Sequence, residues 1–236
     1  PGASRLSGAV SAERDFSGDG VPDVLVASWD PARVDRFSGS GGQSLGWFLG
    51  CGSNSVVNCG FGTGLCAVGD IDADGVGDYL IGSSNAGPPS TPSIGQLIGH
   101  VRLVSGSSIA GPPVFLQTSW GDGINDRFGT SLVANGDFNG DGINDFAAGA
   151  PEYFPGTVQG TGYVRVFSGV DMSTIATIRG VQNDAQFGWA VSFCGDLDGD
   201  GSDELAIGAP MHDFGTLVDV GAVFIYSGRS VVPEEA

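Results

Sequence analysis

Hydrophobic residues in this chain fall in short runs, broken every few positions by Gly, Asp and Ser. Some runs alternate apolar with polar residues, as in Tyr163-Val164-Arg165-Val166-Phe167, which is the period of a β-strand. Others are apolar and end in a small-residue turn: Val24 to Ser28, Tyr79 to Ser83, Phe146 to Pro151 and Leu205 to Pro210. The pattern predicts an all-β chain with many turns. No stretch of 18 or more apolar residues exists, so no membrane-spanning helix is predicted.

The strands belong to a repeat. Asp15 to Asp23 (DFSGDGVPD), Asp70 to Asp78 (DIDADGVGD), Asp137 to Asp145 (DFNGDGIND) and Asp196 to Glu204 (DLDGDGSDE) are one motif written four times. Upstream stands Phe-Gly at Phe61-Gly62, Phe128-Gly129 and Phe187-Gly188, with a degraded Leu6-Ser7 in the first copy. Downstream comes the apolar run, which ends in Gly149-Ala150-Pro151 and Gly208-Ala209-Pro210 in the last two copies. The first two copies carry Ala27-Ser28-Trp29 and Gly82-Ser83-Ser84 there. Each unit closes with an alternating strand and Ser-Gly (RVDRFSG, HVRLVSG, YVRVFSG, AVFIYSG), and runs beginning at Ser44, Pro113 and Ser173 predict a fourth, outer strand. Behind the last unit only SVVPEEA remains, so its outer strand is expected to be short or missing.

This order resembles FG-GAP repeats, the units of the seven-bladed β-propeller of integrin α-subunits and of many bacterial secreted proteins. The resemblance implies one propeller domain of four blades, each of about four antiparallel strands, with repeats at about 5–60, 61–127, 128–186 and 187–229. A blade cannot bury both faces of its sheet, so stability comes from stacking neighbours. Four blades could close a small ring, stay an open arc, or belong to a larger ring completed by another chain or by a removed segment. The third reading is preferred, because the family closes with seven.

Acidic residues at loop positions 1, 3 and 5 aim oxygens at one point, and a donor set without His or thiolate selects a hard cation such as Ca²⁺. Glycine at position 6 (Gly20, Gly75, Gly142, Gly201) lets the chain turn around it. An EF-hand is rejected, since position 12 is Val26, Ile81, Ala148 or Ile207 rather than a bidentate Glu. The resemblance implies four Ca²⁺ sites: Asp15, Ser17, Asp19, Asp23 with the Val21 carbonyl; Asp70, Asp72, Asp74, Asp78 with Val76; Asp137, Asn139, Asp141, Asp145 with Ile143; and Asp196, Asp198, Asp200, Glu204 with Ser202. Glu204 departs from the family pattern, and Ser17 makes the first site the weakest. In the family these loops share one face while partners dock on the other. That places a protein or glycan partner on the loops that follow the second strands, where the long segment Ser83 to Gly99 and Trp29, Tyr153, Phe154, His212 and Phe214 fall.

Composition narrows the function. The 236 residues carry a formal charge of −18, with 27 acidic residues against 9 basic ones, all arginine. That balance argues against nucleic acid and anionic membrane surfaces. Without lysine, P-loop and Schiff-base chemistry lose their central residue. Fourteen of the acidic residues are the carboxylate ligands assigned to the four loops. Cys51 and Cys59 bracket a short Gly/Ser/Asn segment suited to a disulfide, whereas Cys66 and Cys194 precede loop aspartates on first strands and are expected to be buried thiols. His100 aligns with Tyr163 and Ala222 as a strand residue, and no catalytic triad or metallo-hydrolase motif can be built on His100 and His212. The expectation is a non-catalytic, secreted or cell-surface binding or adhesion module. The alternative is an accessory propeller of a secreted polysaccharide- or lipid-degrading enzyme.

Overall fold

The computed structural model describes residues 5–30, 32–50, 59–87, 97–107, 113–153 and 160–228. The described residues form fifteen strands in four antiparallel sheets, each sheet a blade in chain order. Blade 1 is β1 (Arg5–Arg14), β2 (Asp23–Asp30), β3 (Ala32–Phe37) and β4 (Ser44–Leu49). Blade 2 is β5 (Phe61–Ala67), β6 (Tyr79–Ser83), β7 (His100–Val104) and β8 (Phe115–Trp120). Blade 3 is β9 (Ser131–Gly136), β10 (Asp145–Ala150), β11 (Tyr163–Phe167) and β12 (Thr174–Arg179). Blade 4 has β13 (Ala190–Phe193), β14 (Glu204–Ala209) and β15 (Ala222–Ser227); no fourth strand occurs among its described residues. The architecture is an all-β partial propeller. Among the described residues, no helix is long and apolar enough to cross a membrane.

Three hydrophobic clusters form the core, and each joins two adjacent blades. Phe16, Leu25 and Val34 of blade 1 meet Phe61, Leu65 and Tyr79 of blade 2. Leu80, Val101 and Leu103 meet Phe128, Phe146 and Tyr163. Phe138, Val164 and Val166 meet Phe187, Leu205 and Ile207. The second strands of the two inner blades, β6 and β10, are therefore covered on both faces and buried at every residue.

Glycines set the approach of one blade to the next. A methyl group on Gly82 of β6 would stand 2.0 Å from the carbonyl oxygen of Gly129, and one on Gly149 of β10 would stand 2.0 Å from that of Gly188. Gly129 and Gly188 have φ of +85° and +90°, a region that side chains disfavour. Their N–H groups donate to Gly149 O at 3.0 Å and Gly208 O at 3.1 Å within their own blades. Parallel bridges Gly99 to Phe128 and Gly162 to Phe187 extend the contact.

Blade 4 presents the same surface, and nothing covers it among the described residues. Val34, Val101 and Val164 are fully buried under the following blade, whereas the matching Val223 of β15 is 70% exposed. Ile225 is 59% and Leu197 60% exposed, where Leu103, Val166 and Phe138 are buried. Cys194 corrects an expectation: its thiol is exposed, while that of Cys66 is buried. Both lie at first strands, but only Cys66 has a neighbouring blade over it, and it belongs to the cluster shared with blade 3. His100 of β7 is buried with its ring 4.6 Å from that of Trp120, and burial lowers its pKa to about 3, with Arg102 adding to the effect.

The seam makes a paired prediction. Gly149→Ala forces the blade 3–4 contact apart and is expected to cost about 2 kcal/mol or more, with a lower melting temperature. Gly208→Ala, the same change where the nearest atom is Ala190 Cβ at 3.5 Å, is expected to leave the melt within a degree or two.

Candidate metal centre

Each aspartate loop joins the first strand of a blade to the second. Its position-1 carboxylate is wrapped by the loop's own backbone: Asp15 accepts from Gly18 N at 2.7 Å, Asp19 N at 3.2 Å and Gly20 N at 2.6 Å. Asp70, Asp137 and Asp196 accept from Gly75 N at 2.8 Å, Gly142 N at 2.7 Å and Gly201 N at 3.0 Å. Positive φ at position 6, from +84° to +90° in the four loops, turns this N–H inward. These donors, with the Gly20 N–H foremost, hold the Asp15 carboxyl below its usual range.

Position 9 is the buried wall of each loop. Asp23 and Asp78 are fully buried, Asp145 is 1% and Glu204 4% exposed. One carboxylate oxygen caps the loop backbone; Asp23 takes Phe16 N at 2.8 Å and Ser17 N at 2.7 Å, and Asp145 takes Phe138 N at 2.9 Å and Asn139 N at 3.2 Å. The other oxygen accepts from the glycine that closes the third strand: Gly39 N at 3.0 Å, Gly106 N at 3.0 Å and Gly169 N at 3.1 Å. Burial raises the Asp78 carboxyl, and it raises Asp145 to about 6 despite the hydrogen bonds from Gly169, Asn139 and Phe138.

The closing Ser-Gly is therefore part of the loop, which the sequence reading missed. Ser38, Ser105 and Ser227 donate Oγ–H to the position-5 carboxylates Asp19, Asp74 and Asp200 at 3.4, 3.3 and 3.2 Å. In the first two blades a second serine joins them. The Ser40 and Ser107 hydroxyls are the leading cause of the lowered Asp19 and Asp74 carboxyls. The signal lay in the recurrence of Ser-Gly directly after the alternating strand in all four units.

The loops differ in how closely their acids converge. Carboxylate oxygens lie within 4.8 Å of one another in Asp15, Asp19 and Asp23, in Asp70, Asp72 and Asp78, and in Asp196, Asp198 and Glu204. The third loop is not among these groups. There Asn139 Nδ2 donates to Asp141 Oδ2 at 2.9 Å, and Asp137 N donates to Asp203 Oδ2 of the fourth loop at 3.0 Å. In the fourth loop, Glu204 Oε2 accepts from Leu197 N, but Glu204 Oε1 and Ser202 Oγ are buried with no hydrogen-bond partner. An orphaned buried carboxylate oxygen on Glu204, which converges with Asp196 and Asp198, fits a bound cation that takes its lone pair. The Val21, Val76, Ile143 and Ser202 carbonyls sit at position 7 of their loops, and Val21 N, Val76 N, Ile143 N and Ser202 N each donate to the position-5 carboxylate at 2.8 to 2.9 Å.

The other candidate residues lie at the opposite ends of the strands. Tyr153 is half-buried, its ring 6.2 Å from that of Trp189. His212 packs edge-on to Phe224 at 5.2 Å, and Phe214 is 75% exposed. Phe154, Cys51 and residues 88–96 of the long Pro-containing segment lie outside the described residues, as does the Trp29 side chain. Cys59 is disulfide-bonded.

Comparison with known proteins agrees with this geometry. A family model described as FG-GAP repeat matches residues 128–167 and 187–226. Integrin alpha-PS2 of Drosophila melanogaster is 29% identical over 235 residues, covering 93% of this chain and 15% of the relative. Integrin alpha-5 of Xenopus laevis is 31% identical over 170 residues, covering 69% and 15%. Phosphatidylinositol-glycan-specific phospholipase D of Rattus norvegicus is 31% identical over 158 residues, covering 62% and 18%. This chain thus spans less than a fifth of the length of these relatives. Among solved structures, rhamnogalacturonan lyase of Bacillus licheniformis matches with a TM-score of 0.49 at 16% identity, covering 84% of this chain and 40% of that one. The matched repeats, the blades they form and the acidic loops between their first two strands make this chain an FG-GAP repeat protein with integrin α-like repeats.

Proposed function

We propose that this chain is a non-catalytic, calcium-binding extracellular propeller unit, made of the repeats at about 5–60, 61–127, 128–186 and 187–229, that binds a protein or carbohydrate partner and serves in adhesion. The observation that carries the calcium reading is the fourth loop, where Glu204 converges with Asp196 and Asp198 and its buried Oε1 lacks a hydrogen-bond partner. Ligands come from positions 1, 3, 5 and 9 of each loop, with the position-7 carbonyl. A hard cation joins first and second strands there and offsets carboxylates that otherwise repel one another. Its role is structural, because the site occurs four times and an active site is needed once. That leaves the opposite loops free to meet a partner. The Cys59 disulfide supports an oxidising compartment, with Cys51 as the proposed partner. The bare face of blade 4 supports completion of the ring by further blades, in this polypeptide or another.

A second reading makes the chain an accessory propeller of a secreted lipid- or polysaccharide-degrading enzyme. The similarity to phosphatidylinositol-glycan-specific phospholipase D favours its lipid branch. A combined protein and glycan array separates the two, since the adhesion reading requires a saturable hit and the accessory reading does not.

Calcium is expected to raise the melting temperature. At ten times the dissociation constant, each site adds about 1.4 kcal/mol, or roughly 3–6 °C for a chain of this size. A melt unmoved between chelator and calcium would sink the metal assignment. Acidity should act in opposite directions on the two forms. Because Asp145 titrates at about 6 when folded, above its ordinary 3.8, its stabilising contribution to the metal-free protein is complete below that ordinary value and is lost as pH rises through 6. Calcium needs the carboxylate, so its stabilising effect grows over the same interval. Melts of stripped protein between pH 4.5 and 7.5 should fall with pH more steeply for wild type than for Asp145→Asn; equal slopes would remove Asp145 from the account.

A further inference from the structure

Among 27 acidic and 9 basic residues, a cation without a counter-ion is conspicuous, and Arg127 is one. Its guanidinium has no hydrogen-bond or ion-pair partner among the described residues, and its Nε is buried with no acceptor. The neighbouring acids are committed elsewhere. Asp122 pairs with Arg165 and, at 3.0 Å, with Arg179. Asp126 accepts from Tyr163 Oη at 2.9 Å and Gly123 N at 2.7 Å, and Glu152 Oε2 accepts from Gly162 N at 3.0 Å.

What Arg127 does touch is aromatic. Its Cζ lies 5.3 Å from the ring centre of Tyr153, which stands edge-on to Trp189, itself 44% exposed. The three residues come from three segments: the β8–β9 connection, the turn after β10 and the Phe-Gly turn before β13. All three segments lie at the strand ends away from the aspartate loops. Their backbone is fixed. Arg127, at φ +55°, donates N–H to Leu97 O at 2.9 Å, and its carbonyl accepts from Thr130 N and Oγ1 at 3.2 and 2.6 Å. Glu152 N donates to Asp126 O and Trp189 N to Gln186 O, at 3.0 and 3.1 Å.

We infer that Arg127, Tyr153 and Trp189 form a recognition site for a carboxylate side chain, Asp or Glu, that a protein partner presents between apolar residues. A guanidinium fork matches a carboxylate bidentately, and desolvation without an anion is a cost that such a ligand repays. Trp, Tyr and Arg are the residues that carry most interface energy. The charge of −18 repels a polyanionic glycan as a whole, but it tolerates a single carboxylate seated on a cation that lacks a hydrogen-bond or ion-pair partner among the described residues. The site rests on the proposal that partners bind opposite the aspartate loops, and it names the chemistry they bring.

The test uses the chain in calcium, labelled with ¹⁵N at arginine and tryptophan, and the probes acetyl-Phe-Asp-Leu-amide, its Asn counterpart and digalacturonate. The aspartyl peptide is expected to shift Arg127 Nε–H and the Trp189 indole N–H saturably, with a dissociation constant of about 1 mM. The Asn peptide should bind at least tenfold more weakly. Arg127→Gln should lose at least tenfold in affinity for the aspartyl peptide with an unchanged melt; should it fail to fold, Trp189→Ala is expected to show the same loss. Unmoved Arg127 and Trp189 signals at about 10 mM peptide, equal binding of the Asn peptide, or tighter binding of digalacturonate each overturn the assignment. Calcium-dependent melting with silent signals refutes this site alone and leaves the calcium reading standing.

Discussion

Everything in this molecule depends on how closely one blade can approach the next. A sheet of three or four short strands cannot bury both faces, so each blade becomes stable only against its neighbour. The approach is set where Gly82 meets the carbonyl of Gly129 and Gly149 meets that of Gly188, with no room at either place for a methyl group. The two halves of the repeat signature are thus two sides of one contact. The small residue ending the second strand belongs to one blade, and the Phe-Gly it receives belongs to the next. Phe128 and Phe187 then fill the space behind the glycines, each in a cluster shared across the seam.

At the far ends of the strands the aspartate loops solve a different problem. Each tight turn gathers acids whose mutual repulsion opposes folding, and the backbone answers with inward N–H groups. The third strand contributes as well, through glycine N–H groups on Asp23, Asp78 and Asp145 and serine hydroxyls on Asp19, Asp74 and Asp200. A cation held there ties together first, second and third strands of one blade. The fourth loop departs from this pattern: Glu204 is one methylene longer than aspartate, and its Oε1 is left without a donor. A bound cation has most to satisfy at that position.

Much of this was legible in the residues. Strand positions, four repeats and the carboxylate loops followed from spacing, because a repeat states its local structure several times over. Other features were not legible. Nothing in the sequence separates Cys66 from Cys194, whose burial depends on whether another blade lies beyond. Asn139 stands for a carboxylate in the third loop, yet its amide bond to Asp141 and the tie between Asp137 and Asp203 emerge only when two loops are neighbours. Arg127, one arginine among nine, becomes distinctive only once Asp122 is seen to pair with Arg165 and Arg179.

The sequence by itself determined the blade, since hydrophobic alternation, glycine at strongly turned positions and acids at odd loop positions act over a few residues. Tertiary structure decided what each copy of the blade does. Val101, Val164 and Val223 hold the same place in their repeats, but two are buried and one is 70% exposed. Burial is a property of the neighbour rather than of the residue. The same holds for the Arg127 guanidinium on the connection between blades 2 and 3, without a hydrogen-bond or ion-pair partner among the described residues, and for the carboxylate oxygen in the fourth loop, where partners from distant segments satisfy some groups and leave others open.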